Sequence, residues 1–286
     1  MPLRAILQHD LWGLYQSRMV RVWLAATALL AALLMMTNWV KVPSAPLIAI
    51  VLFPYLVFPW FLVVMMLGVN PTSGSRADAM ADGFLCRPVT RYECLLGTWL
   101  ARLVLVWGVY LVVAVPAAAI IVFAKRPVPD DGVTFYGVIA AMGVVGLVLA
   151  LQVSLGFLMG TLLRRSLLAV AVLLLAWYPL NLVLHAFSLE EFSPISLSQS
   201  LPTLLRQPWQ EDPAAETAKV GDLEAMQKTI EWISSFGAPS KPPAKPGFFE
   251  QAEYEDFSLL SVLMGYGIPT LLSIALATVC FNVRDF

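Results

Sequence analysis

TRYECLLGTWLARLVLVWGVYLVVAVPAAAIIVFA, residues 90–124, changes character once along its length. Up to Arg102 it carries Arg91, Glu93 and Arg102, and from Leu103 onward it carries no charge. Thr90-Arg91-Tyr92-Glu93 has the form of a capping box. The Thr90 hydroxyl can accept from the Glu93 backbone N–H, while the glutamate accepts from the threonine N–H. A helix is therefore predicted to begin there. Pro88 restrains Arg87 to an extended conformation, so the chain turns sharply just before the cap. The helix then runs for about three turns before its apolar part, which at about 20 residues is long enough to cross a hydrocarbon core. Arg102 falls where its guanidinium is expected to snorkel to the inner boundary.

The apolar half of this stretch is one of six. Uncharged runs occupy 22–40, 42–75, 103–124, 132–163, 166–189 and 257–283. Trimmed at turn residues such as KVPSAP and NPTSG, they predict transmembrane helices at 20–40, 47–69, 94–124, 133–163, 166–188 and 258–281. The fold class is all-α and polytopic. Across 286 residues the composition is 59% hydrophobic and 13% charged, with mean hydropathy +0.77, which excludes an ordinary soluble domain. A net charge of −1 provides no field for nucleic acid. Cys86, Cys94 and Cys280 offer no disulfide framework. The first run begins too far along the chain, and is too long, for a cleaved signal, so it is expected to be a retained helix. Pro54, Pro59 and Pro116 fall inside runs and predict kinks.

Arginine distribution orients the bundle. Arg4, Arg18, Arg21, Arg76, Arg87, Arg91, Arg102, Arg164, Arg165 and Arg284 share one side, and the short loops opposite hold only Lys41, Lys125 and Arg126. Both termini, the 70–102 segment and the Arg164-Arg165 turn are therefore expected in the cytosol. Two further segments are predicted beside the bilayer. Over 2–16, Leu3, Ile6, Leu7, Leu11 and Leu14 make one helical face, with Trp12 and Tyr15 suited to the headgroup level. The segment reads as an interfacial helix or as a short cytosolic lead-in. Residues 190–256 are too long for a turn. Within them Leu223, Met226, Ile230 and Ile233 share a face between Asp222, an N-cap residue, and Gly237, so a small helical extracytoplasmic cap or a linker is expected.

The spans hold no Asp, Glu, Lys or Arg in their interiors, which disfavours proton relays and ion pathways. His185 has no second histidine for a metal site, Glu190 and Glu191 are adjacent headgroup-level acids, and no P-loop pattern occurs. Upstream of the cap, Ala77, Met80, Ala81 and Phe84 follow helical spacing, which predicts a short amphipathic helix over 75–85. It is too short to be stable alone and needs a surface to pack against.

ADAMADGFLCRPVTRYECLLGTWLARL, residues 77–103, resembles the loop between the second and third spans of ABC-2 type transporter permeases. Asp82, Gly83, Pro88, Val89, Thr90, Arg91, Glu93, Leu95, Leu96 and Gly97 occupy the family's positions. Thr98 stands where the family has a lysine, and the 190–256 segment is longer than in simpler members. The resemblance implies a membrane subunit of an exporter in the cell inner membrane, with no catalytic, cofactor or metal site of its own. ATP and Mg would be held by a separate ATP-binding cassette subunit. That subunit would dock on the 70–93 loop as a coupling helix, and on the turn between the fourth and fifth spans. The contact residues so implied are Arg76, Asp78, Asp82, Arg87, Arg91, Arg164 and Arg165. A second permease copy or homologue, the lipid bilayer and an extracytoplasmic protein are the other expected partners. The expected cargo is lipid-like or amphipathic. Two alternatives stand beside it: transmission of motion to an extracytoplasmic partner, and a polytopic membrane enzyme. Gly156 and Gly160 form a G-x-x-x-G that permits close helix approach, between subunits or within one.

Overall fold

The computed structural model describes residues 2–71, 90–128, 131–163, 165–186, 193–206 and 259–283. Every described element is a helix: α1 (Pro2–Gln16), α2 (Arg18–Asn38), α3 (Ser44–Leu56), α4 (Trp60–Val69), α5 (Arg91–Phe123), α6 (Phe135–Leu162), α7 (Ser166–Ala186), α8 (Pro194–Arg206) and α9 (Leu259–Val283). Five stretches are long and apolar enough to cross a membrane: Arg18–Asn38, Ser44–Val69, Tyr92–Phe123, Phe135–Leu162 and Leu259–Phe281. The described apolar part of α7, Ser166–Trp177, is shorter.

Along these stretches the described backbone is helical, which is how a segment in a hydrocarbon solvent satisfies its backbone polar groups. α6 lies at the centre, packed by α4, α5, α7, α8 and α9. It is apolar all round for that reason. Three indole and phenol groups fix α5 against it. Trp99 Nε1 donates to Ser154 Oγ at 3.1 Å, Trp107 Nε1 to the Gly146 carbonyl at 3.0 Å, and the Tyr110 hydroxyl to the Met142 carbonyl at 3.2 Å. Such rings bring large apolar area and a donor that needs a partner once buried. Gly146 leaves room for the Trp107 ring, which would lie 3.1 Å from a Cβ there.

The span expected at 47–69 is two helices. α3 ends at Leu56 and α4 starts at Trp60, with a cis Phe58–Pro59 peptide between them. Pro54 and Pro116 stay inside α3 and α5, which continue past them. The helix expected between Asp222 and Gly237 lies outside the described residues. α8 belongs to the same long segment. Leu197, Leu201, Leu204 and Leu205 are buried, and the helix packs on α3 and α6. Gly137 makes this contact close, since a Cβ there would meet the Leu205 carbonyl.

The two ends of the bundle are chemically different. At one end sit α1, the start of α5, the end of α6 and the end of α9, joined by Leu95, Phe157, Ala277 and Phe281. At the other, Arg126 donates to the Trp39 and Val42 carbonyls and to Ser44 Oγ, closing the α2–α3 loop onto the end of α5. Its guanidinium also lies over the Trp39 ring at 5.3 Å. Asp131 binds Arg206 at 2.7 Å and accepts from the Ala45 N–H at the start of α3, where an anionic side chain suits the helix dipole. Burial lowers the Arg126 guanidinium below its usual range while Asp131 opposes this; an arginine stays charged nonetheless.

Candidate functional site

The capping box at the start of α5 forms as its spacing requires. Thr90 Oγ1 accepts from the Glu93 N–H at 3.3 Å, and Glu93 Oε2 accepts from the Thr90 N–H at 3.2 Å and from its hydroxyl at 2.9 Å. Two otherwise orphaned donors are satisfied, a cap worth about 1 kcal/mol. The helix runs from this cap without interruption for 33 residues, about 50 Å.

α1 is strapped along the first turns of this helix. Leu3, Ile6, Leu7, Leu11 and Leu14 are all partly buried, so the periodic stripe is covered by protein, chiefly α5, and only partly available to a bilayer. Gly97 permits the approach: a Cβ there would lie 3.1 Å from Ile6 Cγ2. Trp12 and Tyr15 occupy the outer face, exposed and stacked on each other with ring centroids 6.4 Å apart. Pairing with α1 also changes the reading of Arg102. Instead of snorkelling, its side chain is 7% exposed, with NH1 3.6 Å from Asp10 Oδ2 and donating to the Thr98 carbonyl at 2.7 Å. The Asp10 side chain is 27% exposed. α1 therefore neutralises a charge that the packing of α5 takes out of water.

The antiparallel register set by Trp99–Ser154 and Trp107–Gly146 carries Arg91 to the level of Leu162, the last residue of α6. The capped start of α5 and the turn before α7 thus share one end of the bundle. Arg165, in that turn, is exposed and its carbonyl accepts from the Ala169 N–H. Arg91 is the first residue of α5, and its side chain is outside the described part. Arg76, Asp78, Asp82, Arg87, Arg164 and the 75–85 segment also lie outside the described residues.

Gly156 faces inward. A Cβ on it would lie 2.8 Å from the Met65 carbonyl oxygen and 3.1 Å from the Gly68 Cα, so its close approach joins α6 to α4 within one chain. Of the two open readings of the G-x-x-x-G, the Gly156 contact is the intramolecular one. The sequence reading missed Asp10 as a partner and passed over Gln152, fully buried on α6 with neither amide atom hydrogen-bonded. Glutamine raises no charge-based signal, and the Asp10 contact joins distant parts of the chain. Among the described residues no three His, Cys, Asp or Glu side chains come together as a metal site would require.

No family model matches the chain, and no curated protein matches it in sequence.

Proposed function

We propose that this chain is the membrane subunit of an ATP-driven exporter in the cell inner membrane. It crosses six times, with α7 as the fifth crossing, both termini in the cytosol and a second copy or homologue completing the pathway. A separate ATP-binding cassette subunit docks on the 70–93 loop and on the Arg164-Arg165 turn, and the cargo is lipid-like or amphipathic. The observation that carries this reading is the capped, strapped start of α5. A force applied there meets a helix locked at its cap, held by α1 and bonded to the central helix through three side chains. Nucleotide-driven movement of the partner shifts the bundle between two states only if the partner binds them with different free energy. A rigid receiver makes that difference transmissible.

The position of α8 favours a second use of the same drive. It is packed on α3 and α6 at the far end and leads into the long segment after Arg206, so movement of α6 reaches that segment directly. An extracytoplasmic protein bound there would receive the motion with little or no cargo crossing.

The test is purification of the full chain from its native membrane in mild detergent, followed by photolabelling with an azido-ATP analogue and assay of vanadate-sensitive ATP hydrolysis. The expected result is a labelled companion subunit that is lost with Arg91→Glu. A chain that purifies with no nucleotide-binding companion and no ATPase activity contradicts the proposal.

A further inference from the structure

α2 and α3 line a groove of about 550 Å³ with Leu30 and Leu34 of α2, Ile50, Phe53 and Pro54 of α3, and Phe58 and Pro59 at the break. Every lining residue is apolar. The groove runs past the end of α3 at Leu56 to Phe58 and Pro59 in the break before α4. From Ile50 to the end of α3 at Leu56 it follows the helix for about 9 Å, more than half the depth of one leaflet of a hydrocarbon core about 30 Å thick, with Phe58 and Pro59 beyond. Its upper end, at Leu34, is about 7.5 Å from Trp39 and the loop.

That loop is cationic. Lys41 lies within it, exposed, and Arg126 is clamped to its Trp39 and Val42 carbonyls. The clamp places Lys125, also exposed, beside the same loop. The described acid of this region, Asp131, is bound to Arg206 and to the Ala45 N–H; Asp130 is outside the described residues. An apolar slot beside a loop that carries exposed ammonium groups matches one kind of molecule in both parts.

We propose that the α2–α3 groove holds an acyl chain of a bilayer phospholipid with an anionic headgroup, whose phosphate lies against Lys41 and Lys125. The apolar slot accepts any acyl chain; the two lysines select the charge of the head. The site belongs to a single chain and does not rest on the exporter reading, so either stands if the other fails.

The test is native mass spectrometry of the delipidated full chain titrated with phosphatidylglycerol or phosphatidylcholine of identical chains. Phosphatidylglycerol is expected to bind at least several-fold tighter. Lys41→Gln and Lys125→Gln each remove about fivefold of that preference, from roughly the attraction of one surface lysine for anionic lipid, and leave phosphatidylcholine unchanged. Both lysines are exposed, so neither variant threatens folding. Leu34→Trp, which fills the slot, weakens binding of both lipids, whereas Leu271→Trp on the exposed face of α9 does not. Equal affinity for the two lipids, or unchanged binding in Leu34→Trp, overturns the proposal. So does a Leu34→Trp variant that alters only the monomer–dimer ratio, since a second copy would then be the occupant.

Discussion

Neutralising Asp10 tests whether α1 holds α5 through charge. Asp10→Asn removes a carboxylate partner of a guanidinium that is 7% exposed and cannot shed its proton. The Thr98 carbonyl still accepts from it, so the expected loss of stability is about 3 kcal/mol, the low end for a broken buried pair. Arg102→Met keeps most of the stem volume and strands a carboxylate that water reaches more readily, at 27% exposure, so about 1–2 kcal/mol is expected. The double variant leaves no buried charge and should lose about 1–2 kcal/mol less than the two singles added together. Equilibrium unfolding of the full chain in mixed micelles gives the four free energies, and hydrogen exchange over 2–16 reports α1 itself. Exchange should accelerate in Asp10→Asn and partly recover in the double variant. Single losses that add within about 0.5 kcal/mol would refute the pairing.

Thr90→Ala removes one half of the capping box and should cost about 1 kcal/mol, seen as faster amide exchange in the first turn of α5 while the apolar part of that helix keeps its protection. Gly156→Leu forces a side chain against backbone atoms of α4, with a loss of about 2–3 kcal/mol, and the thermal transition should fall while the oligomeric state, read by light scattering in detergent, stays as it was.

Local chemistry was the most legible part of the sequence. The capping box needs only Thr90 and Glu93 at the right spacing, and 2–16 matches α1 to the residue because its stripe is complete within four turns. Apart from α8, the other helices fall within a few residues of the apolar runs, since the hydrocarbon requirement acts on each run separately. What a run packs against is not local. Arg102 reads as a boundary residue until α1 is seen to cover it, and the stripe of α1 reads as a lipid face until Gly97 is seen to receive Ile6. The break at Pro59 was marked by a proline, as was Pro116, but α5 continues through Pro116 and the 47–69 run divides. α8 was hidden by its serines and two prolines. Leu197, Leu201, Leu204 and Leu205 share a helical face, yet the surfaces that bury them come from α3 and α6.

The expectation that the start of α5 faces the cytosol and meets an ATPase is tested most directly by photocrosslinking in intact cells. A benzophenone side chain placed at Tyr92 or Arg165, both exposed at the same end of the bundle, should give an adduct containing an ATP-binding cassette subunit. The same group at Lys125 or Phe135, exposed at the opposite end, should give none. Adducts to that subunit from Lys125 and Phe135 alone, or no such adduct from any of the four positions, would contradict it.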